Sequence, residues 1–441
     1  MRNCTALPIW ALLVALLAGC SVVKEEKAGT ASAPQARSGG GVEIIMYTWT
    51  EASEEQANQA LLDEFRKANP DISVELQNAP GSQQAMAKLQ TMISAQEAPD
   101  LVSLHGAYFV PLASKGALLP LDGYLAKSKE LSASDFNERL LNLCRCEGKL
   151  YSLPRYTSVY ALFYNKALFD AAGVPYPDRQ DPWDWDAYLQ TAQKLTRDTD
   201  GDGTTDQWGC FIDFWEARLY PWLWQNGGDI FSRDRSKCTL DSAEDIEAVK
   251  FVADLLRVHK VTPETLSTER NQGLEVFGSG KIGMYMTGPW DIQSLSEAMQ
   301  SEGLQWGAAP LPMNKRRATM LGTENYAICT QSKHPDEAWK LFEFLMSSQS
   351  QQFMAERLEK MPSRLSVING AYVKGDTGQG RRVFAEALSY AVEPPNVPDW
   401  SQIRPLYQEE LDNIWIGKKS AAQGCRDAAR RINEYRAAHK P

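Results

Sequence analysis

Histidine is scarce in this chain: His105, His259, His334 and His439 are the only four, and they are too scattered to build a catalytic metal centre. Dense Lys/Arg clusters are missing as well. With a net charge of −10, a diffusely acidic surface repels phosphate backbones, which argues against a nucleic-acid partner. No nucleophile elbow, metalloprotease signature or phosphate-cradling glycine loop occurs, so the enzyme classes built on those motifs drop out. Beyond the N-terminal segment no window approaches about eighteen uninterrupted apolar residues, so no later membrane span is expected. There is no internal repeat, which removes solenoids from consideration.

What is present begins at the N-terminus. Arg2 supplies a positive end, Ala6 to Ala18 an apolar stretch, and Leu17-Ala18-Gly19-Cys20 closes it. That stretch is too short to cross a hydrocarbon layer of ~30 Å, so residues 1–19 read as a secretory signal. The ending resembles a bacterial lipobox, which implies cleavage before Cys20 and lipid attachment to it. A plain signal peptide cut near Ala18 or Gly19 is the alternative. Residues 20–41 hold only two bulky apolar side chains, Val22 and Val23, too few to offset their ordering entropy. A flexible tether of this length would hold the folded part about 25 Å from its anchor. The expected location is extracytoplasmic, with the membrane reached through the lipid alone.

The remainder, about 400 residues, is too long for one compact core and points to two domains. The whole chain's 43% hydrophobic and 23% charged residues are those of an ordinary globular protein. Of eight cysteines, Cys4 goes with the signal and Cys20 with the lipid. The other six lie in an export setting that permits disulfides. Cys210 and Cys238 flank an aromatic-rich segment and are the expected pair. Cys144-Arg145-Cys146 has no companion His or Cys cluster, so zinc is not expected there.

Val42–Tyr47 is a short β-branched apolar run and predicts a buried strand. From Ser53, Ala57, Leu61 and Phe65 recur at helical spacing, ended by Asn69-Pro70. Ile72–Leu76 alternates as a strand. Ser82 opens a helix with Met86, Leu89, Met92 and Ile93 on one face, and 100–104 is a third strand. This alternation predicts a parallel α/β sheet. Later, Asp241-Ser242 caps a helix carrying Val249, Val252 and Leu256, with Glu244 and Asp245 in its first turn. His334-Pro335 starts another, striped by Ala338, Leu341, Phe342 and Leu345.

Further segments appear in order: Gln96-Glu97-Ala98-Pro99-Asp100, Gly148-Lys149-Leu150-Tyr151, and Phe163-Tyr164-Asn165-Lys166. Trp183-Asp184-Trp185-Asp186, Phe277-Gly278-Ser279-Gly280-Lys281-Ile282-Gly283-Met284, Thr287-Gly288-Pro289-Trp290 and Pro395-Asn396-Val397-Pro398 follow. From about Val42 to Tyr435 this set resembles the bacterial extracellular solute-binding proteins of sugar ATP-binding-cassette importers, the maltose-binding class. The resemblance implies an α/β fold of the periplasmic-binding-protein type (class II): two lobes, each a β-sheet flanked by helices, joined by a three-crossing hinge. Crossings are expected near Leu153–Tyr156, Ile282–Met286 and Ala327–Thr330. One lobe would be 42–154 plus 284–327, the other 155–283 plus 328–441. The implied function is capture of a carbohydrate, an oligosaccharide above all, between the lobes and delivery to a membrane permease. The receptor would act as a monomer, with no bond made or broken and no cofactor required.

The chemical argument for sugar rests on aromatics, of which 13 are tryptophans. A flat ring covers the C–H face of a pyranose, and planar polar side chains satisfy its hydroxyl rim. Trp49 and Glu51 follow the first strand, and His105 and Tyr108 the third, at the carboxyl ends where open α/β sheets hold ligands. Trp215, Glu216 and Arg218 crowd one segment, and Trp290 follows the second expected crossing. Glu324 and Tyr326 precede the third. Trp400, with Arg404 beside it, lies where relatives carry ligand contacts, and it divides evenly between cleft and core. Arg155 divides between an acidic sugar's carboxylate and a hinge salt bridge. Trp183, Trp185, Trp222, Trp224 and Trp339 read as core. An exported carbohydrate-active enzyme with a carboxylate pair, or a receptor for a non-sugar solute, is the alternative.

Asp198, Asp200, Asp202, Thr204 and Asp206 repeat at alternate positions with Gly203 at the sixth place, like the start of an EF-hand calcium loop. Position twelve is Gly209 instead of a bidentate Glu. A structural calcium site and a solvated acidic turn are the two readings.

Overall fold

The computed structural model describes residues 41–439, apart from 51, 80, 265–269, 359, 377–379 and 396. The signal segment, Cys20, the tether up to residue 40 and Glu51 lie outside the described residues. In chain order the strands are β1 (Val42–Trp49), β2 (Ile72–Ala79), β3 (Leu101–His105), β4 (Arg145–Cys146), β5 (Lys149–Leu150) and β6 (Ser152–Val159). They continue as β7 (Ala161–Asn165), β8 (Trp208–Phe211), β9 (Ile282–Thr287), β10 (Trp306–Ala309), β11 (Thr319–Ile328) and β12 (Ala391–Val392).

The first sheet runs β12-β11-β3-β1-β2, with β6 also paired to β11. β1 lies parallel to β2 and β3, whereas β11 is antiparallel to β3 and β6. Period-two alternation sends Ile44, Met46, Ile72 and Val74 into a core with Leu61, Phe65, Leu341 and Phe342 of helices Ala52–Ala68 and Pro335–Leu345. Tyr47, Val102 and Leu104 face the other way, against Met86, Leu89 and Phe109 of helices Ser82–Ser94 and Gly106–Ala113. Both faces are covered at β1 and β3, which read as apolar runs, whereas the edge strand β2 keeps the alternation of a strand with exposed positions.

The second sheet runs β10-β7-β9-β8. Leu162, Tyr164, Cys210, Met284 and Met286 bury one face under helices that include Trp185–Leu195, Glu216–Gln225, Ala243–Arg257, Trp400–Trp415 and Ala421–Ala438. Phe163, Phe211 and Tyr285 bury the other against Phe277, Ile292 and Phe384. Trp185, Trp222, Trp224 and Trp339 are buried, as their helical spacing predicts.

The crossings differ from expectation. Only Tyr160 separates β6 of the first sheet from β7 of the second, so the first crossing falls there. β9 is no crossing: every paired residue bonds within the second sheet, Met284 to Tyr164 and Cys210 among them. The return runs through 310–318, from β10 to β11. Ala327 and Ile328 stay in the first sheet against β3. Residues 361–363 lie along β6 through a Tyr156–Pro362 bridge and a Thr157 N–H to Met361 carbonyl bond of 3.1 Å, and β12 still joins the first sheet, so the last crossing falls after Val392, before helix Trp400–Trp415 packs on the second. Residues 284–309 therefore belong with the second sheet, and helices Pro335–Leu345 and Ser348–Leu358 pack on the first, the reverse of the expected division. An apolar strand buried on both faces carries no mark of which sheet will receive it.

Two details make measurable predictions. The Thr319 hydroxyl accepts the Tyr160 N–H (3.0 Å) and donates to the Tyr160 carbonyl (2.9 Å), clasping two crossing strands. Thr319→Val keeps the shape and removes both bonds. Urea denaturation should show a loss of about 1–3 kcal/mol with an unchanged slope; an unmoved midpoint would dismiss the clasp.

The second detail is Asp245, which the cap pattern places in a helix's first turn. It is fully buried, and its carboxylate accepts the Ser242 hydroxyl at 2.6 Å. Desolvation outweighs that bond and lifts its pKa to about 7. The folded state thus holds the proton more tightly than the unfolded chain. Stability is full below about pH 4 and is lost as pH rises through about 7, by at most about 4 kcal/mol. Asp245→Asn should flatten that fall in a pH series of urea melts, and a parallel fall in the variant would assign it to another group.

Candidate functional site

At the carboxyl end of the first sheet, Trp49 closes β1 half-buried against the Tyr47 core. The chain beyond it is fixed by Asn78. Its Oδ1 accepts the Thr50 N–H (2.8 Å), and its Nδ2 donates to the Thr50 carbonyl and to Glu55, both at 2.9 Å. His105 ends β3 opposite Glu324 on β11. Its ring meets that of Tyr108 at 6.1 Å and 63°.

On the second lobe, Asp213 follows β8 and is buried. One carboxylate oxygen accepts the Trp215 N–H (3.0 Å) and the other the Arg218 Nε–H (3.2 Å). Trp215 is thereby set half-buried at the cap of helix Glu216–Gln225. Trp290 lies in the turn after β9, and its ring folds back over Gly288, where an added Cβ would come within 2.1 Å of it. The ring meets Tyr160 edge-on, 5.6 Å away at 79°. Trp400 opens helix Trp400–Trp415 and packs on Phe231 and Tyr407, each at 6.3 Å.

Three residues expected to touch ligand are spent on internal partners. Glu216 is 3% exposed, and its carboxylate accepts two bonds from Arg404 (2.5 and 3.3 Å). Burial raises the Glu216 pKa, with the Arg404 charge opposing. Arg404 itself is 45% exposed and carries the free face of this pair. Arg218 is buried between Asp213 and aromatic rings.

Arg155 is the third. It is buried, pairs with Glu54, and lies 3.2 Å from Glu324 and from the Ser103 hydroxyl. Its guanidinium covers the rings of Tyr156 (4.5 Å) and Tyr326 (4.7 Å). Lys360 reaches the other oxygen of Glu54. Burial alone would raise the Glu54 pKa, but Arg155 and Lys360 hold it below its ordinary value. Two cations against two carboxylates leave the cluster neutral. Arg155 is thus paired with carboxylates inside the first lobe, and Tyr326, 3% exposed, is the floor of this cluster. Arg404, which the sequence already sets beside Trp400, is the polar group that keeps an exposed face. Its place one turn after Trp400 on a single helix is the signal that finds it.

The acidic loop supports the solvated-turn reading. Oxygens of Asp198, Asp200 and Asp202 lie within 4.8 Å of one another, all exposed. Backbone N–H groups already engage them: Gly201 and Gly203 donate to Asp198 (2.7 and 2.8 Å) and Thr204 to Asp202 (2.7 Å). Asp206 accepts from Thr199 at 2.9 Å, and these bonds lower the pKa of Asp198 and Asp206. An added Cβ on Gly209 would sit 1.9 Å from the Ala192 carbonyl, so the closing acidic ligand has no room. Thr204 stays exposed beside them.

The disulfide expectation is also corrected. Cys210 and Cys238 are separate thiols. Cys210 lies on β8 against Val261 (3.6 Å), whereas Cys238 is held by Asn433 of another helix (2.8 Å). Burial pushes both thiols up to about 12, which makes them packing groups. Among the described residues no helix is long and apolar enough to cross a membrane.

Residues 49–352 match the family model described as bacterial extracellular solute-binding protein. The galactooligosaccharide-binding protein of Bacillus subtilis (strain 168) is 23% identical over 440 residues, covering 97% of this chain and 96% of its own. Among solved structures, the ABC substrate-binding protein of Listeria monocytogenes in complex with cycloalternan is 27% identical with a TM-score of 0.80. That match covers 90% of this chain and 99% of that one. The GacH receptor of Streptomyces glaucescens, solved with acarbose, is 25% identical with a TM-score of 0.77, covering 89% and 98%.

The Arg155 assignment has a measurable consequence. Arg155→Leu strands Glu54 and Glu324 without their shared counter-ion and should cost about 3–5 kcal/mol in chemical denaturation. A variant as stable as wild type would leave Arg155 free to meet a ligand.

Proposed function

Because the chain belongs to the bacterial extracellular solute-binding protein family, we propose that it is a carbohydrate receptor serving an ABC importer. Its two lobes would hold a sugar, an oligosaccharide above all, and hand it to a membrane permease. One observation carries this reading. Half-buried aromatic rings lie at or just past strand ends in both lobes, Trp49 and Tyr108 on one and Trp215 and Trp290 on the other, and the guanidinium of Arg404 is 45% exposed. Flat apolar faces with a planar, multidentate donor are what a pyranose ring and its hydroxyl rim require. The oligosaccharide named for the Bacillus relative, and the ligands of the Listeria and Streptomyces structures, support the same class.

In this reading His105 and Glu324 complete the first-lobe wall, Trp400 flanks Arg404 on the second, and Glu51, two residues after Trp49 in sequence, is a further candidate contact. Closure about the hinge would enclose the sugar, and the permease would read the closed form. Cys20 would bear the lipid that keeps the receptor at the membrane. The role is capture and release without chemistry, by a single chain.

The test is a sugar screen by thermal shift and tryptophan fluorescence, followed by chromatography of the recovered ligand. A bound sugar should raise the melting temperature in step with ln(1 + [L]/Kd) and be returned intact. Cleaved product would identify a hydrolase instead, and no shift with any mono- or oligosaccharide would overturn the reading. For the sugar that binds, Trp215→Ala should weaken affinity by about 2 kcal/mol, roughly thirtyfold, with the melting temperature of the free protein held. Equal affinity by calorimetry would remove Trp215 from the wall.

A further inference from the structure

Arg218 sits among the aromatic residues of the candidate site, yet only 4% of its side chain is exposed. Its surroundings explain what a buried guanidinium does there. Nε donates to Asp213 at 3.2 Å, and the same carboxylate accepts the Trp215 N–H at 3.0 Å. The plane of the cation covers the Tyr160 ring at 4.5 Å and lies 5.8 Å from the centre of the Trp290 ring. Nη1 has no hydrogen-bond partner among the described residues, and the π faces stand in its place. Asp291, directly after Trp290, is also buried, accepts the Thr287 hydroxyl at 2.5 Å and adds its charge to the Arg218 environment. A desolvated cation paired with a buried carboxylate is held tightly, because any displacement would leave a charge unpaired in a low-dielectric interior.

We propose that Arg218, anchored by Asp213, is the positioning residue of the sugar platform: it sets the Trp290 ring edge-on to the hinge residue Tyr160 and, through the shared carboxylate, fixes Trp215. It touches no ligand. Two half-exposed indoles are held at a defined relation to each other and to the first crossing, so the wall that receives the sugar is preformed and adjoins the strand crossing that bends. This deepens the carbohydrate reading and rests on it for its meaning, but its test uses no sugar, so each can fail alone.

The experiment is 19F NMR of the protein labelled with 5-fluorotryptophan, its lines assigned with Trp185→Phe, Trp215→Phe and Trp290→Phe. In Arg218→Met the Trp290 line should shift or broaden as the ring loses its fixed orientation. The Trp185 line should stay in place, because Gln225 holds that indole at 2.8 Å, apart from the pair. An unmoved Trp290 line overturns the proposal, and so does displacement of every line including Trp185, which would mark a general loss of packing. Should Arg218→Met fail to fold, Asp213→Asn keeps the volume and weakens the anchor. It should move the Trp215 and Trp290 lines together, and movement of Trp215 alone, or of neither, overturns the proposal.

Discussion

Consecutive strands usually enter the same sheet, but β6 and β7 do not, and Tyr160 alone lies between them. From that one-residue step follows the division into two lobes, each with its sheet covered on both faces. The chain returns once through β11, whose first residue clasps the Tyr160 backbone, and the two crossings are thereby registered to each other. Bending at these few backbone positions would leave the cores on either side intact, which is what hinge closure requires.

Buried charge is placed with the same economy. One cluster, Glu54, Arg155, Lys360 and Glu324, braces the first-lobe ends of β6 and β11. The other, Asp213 and Arg218, braces the second-lobe aromatics. Each is nearly dry, so each is rigid: a paired ion in low dielectric has few alternatives. The exposed polar group, Arg404, is in turn aimed by a buried Glu216. Charged residues near this cleft therefore act in two layers, with the inner one orienting the outer.

Much of the local structure was legible. The apolar run at Val42 and the helical spacing of Ala57, Leu61 and Phe65 predict their elements, and the Pro335 start with its acidic first turn does the same. Aromatics at strand ends marked Trp49, Trp215 and Trp290, and all three are half-buried. The partners of charged residues were not legible. Arg155, Glu216 and Arg218 stand at positions where a ligand-facing group and an internal counter-ion look alike in sequence. Only long-range approach, such as Glu216 meeting Arg404 188 positions away, tells them apart. The same holds for Cys210 and Cys238, whose spacing said nothing about the helices between them.

Periodicity, capping and composition, which act over a few residues, determined the α/β class and the aromatic character of the candidate site, and the ordered motifs from Val42 to Tyr435 carried the resemblance to its family. The tertiary structure decided which sheet receives β9, which lobe owns helix Pro335–Leu345, and whether a buried arginine faces solvent or a carboxylate. Those outcomes depend on packing between segments far apart in sequence, and a fully buried strand or an apolar helix stripe fits either core until the other layers are in place.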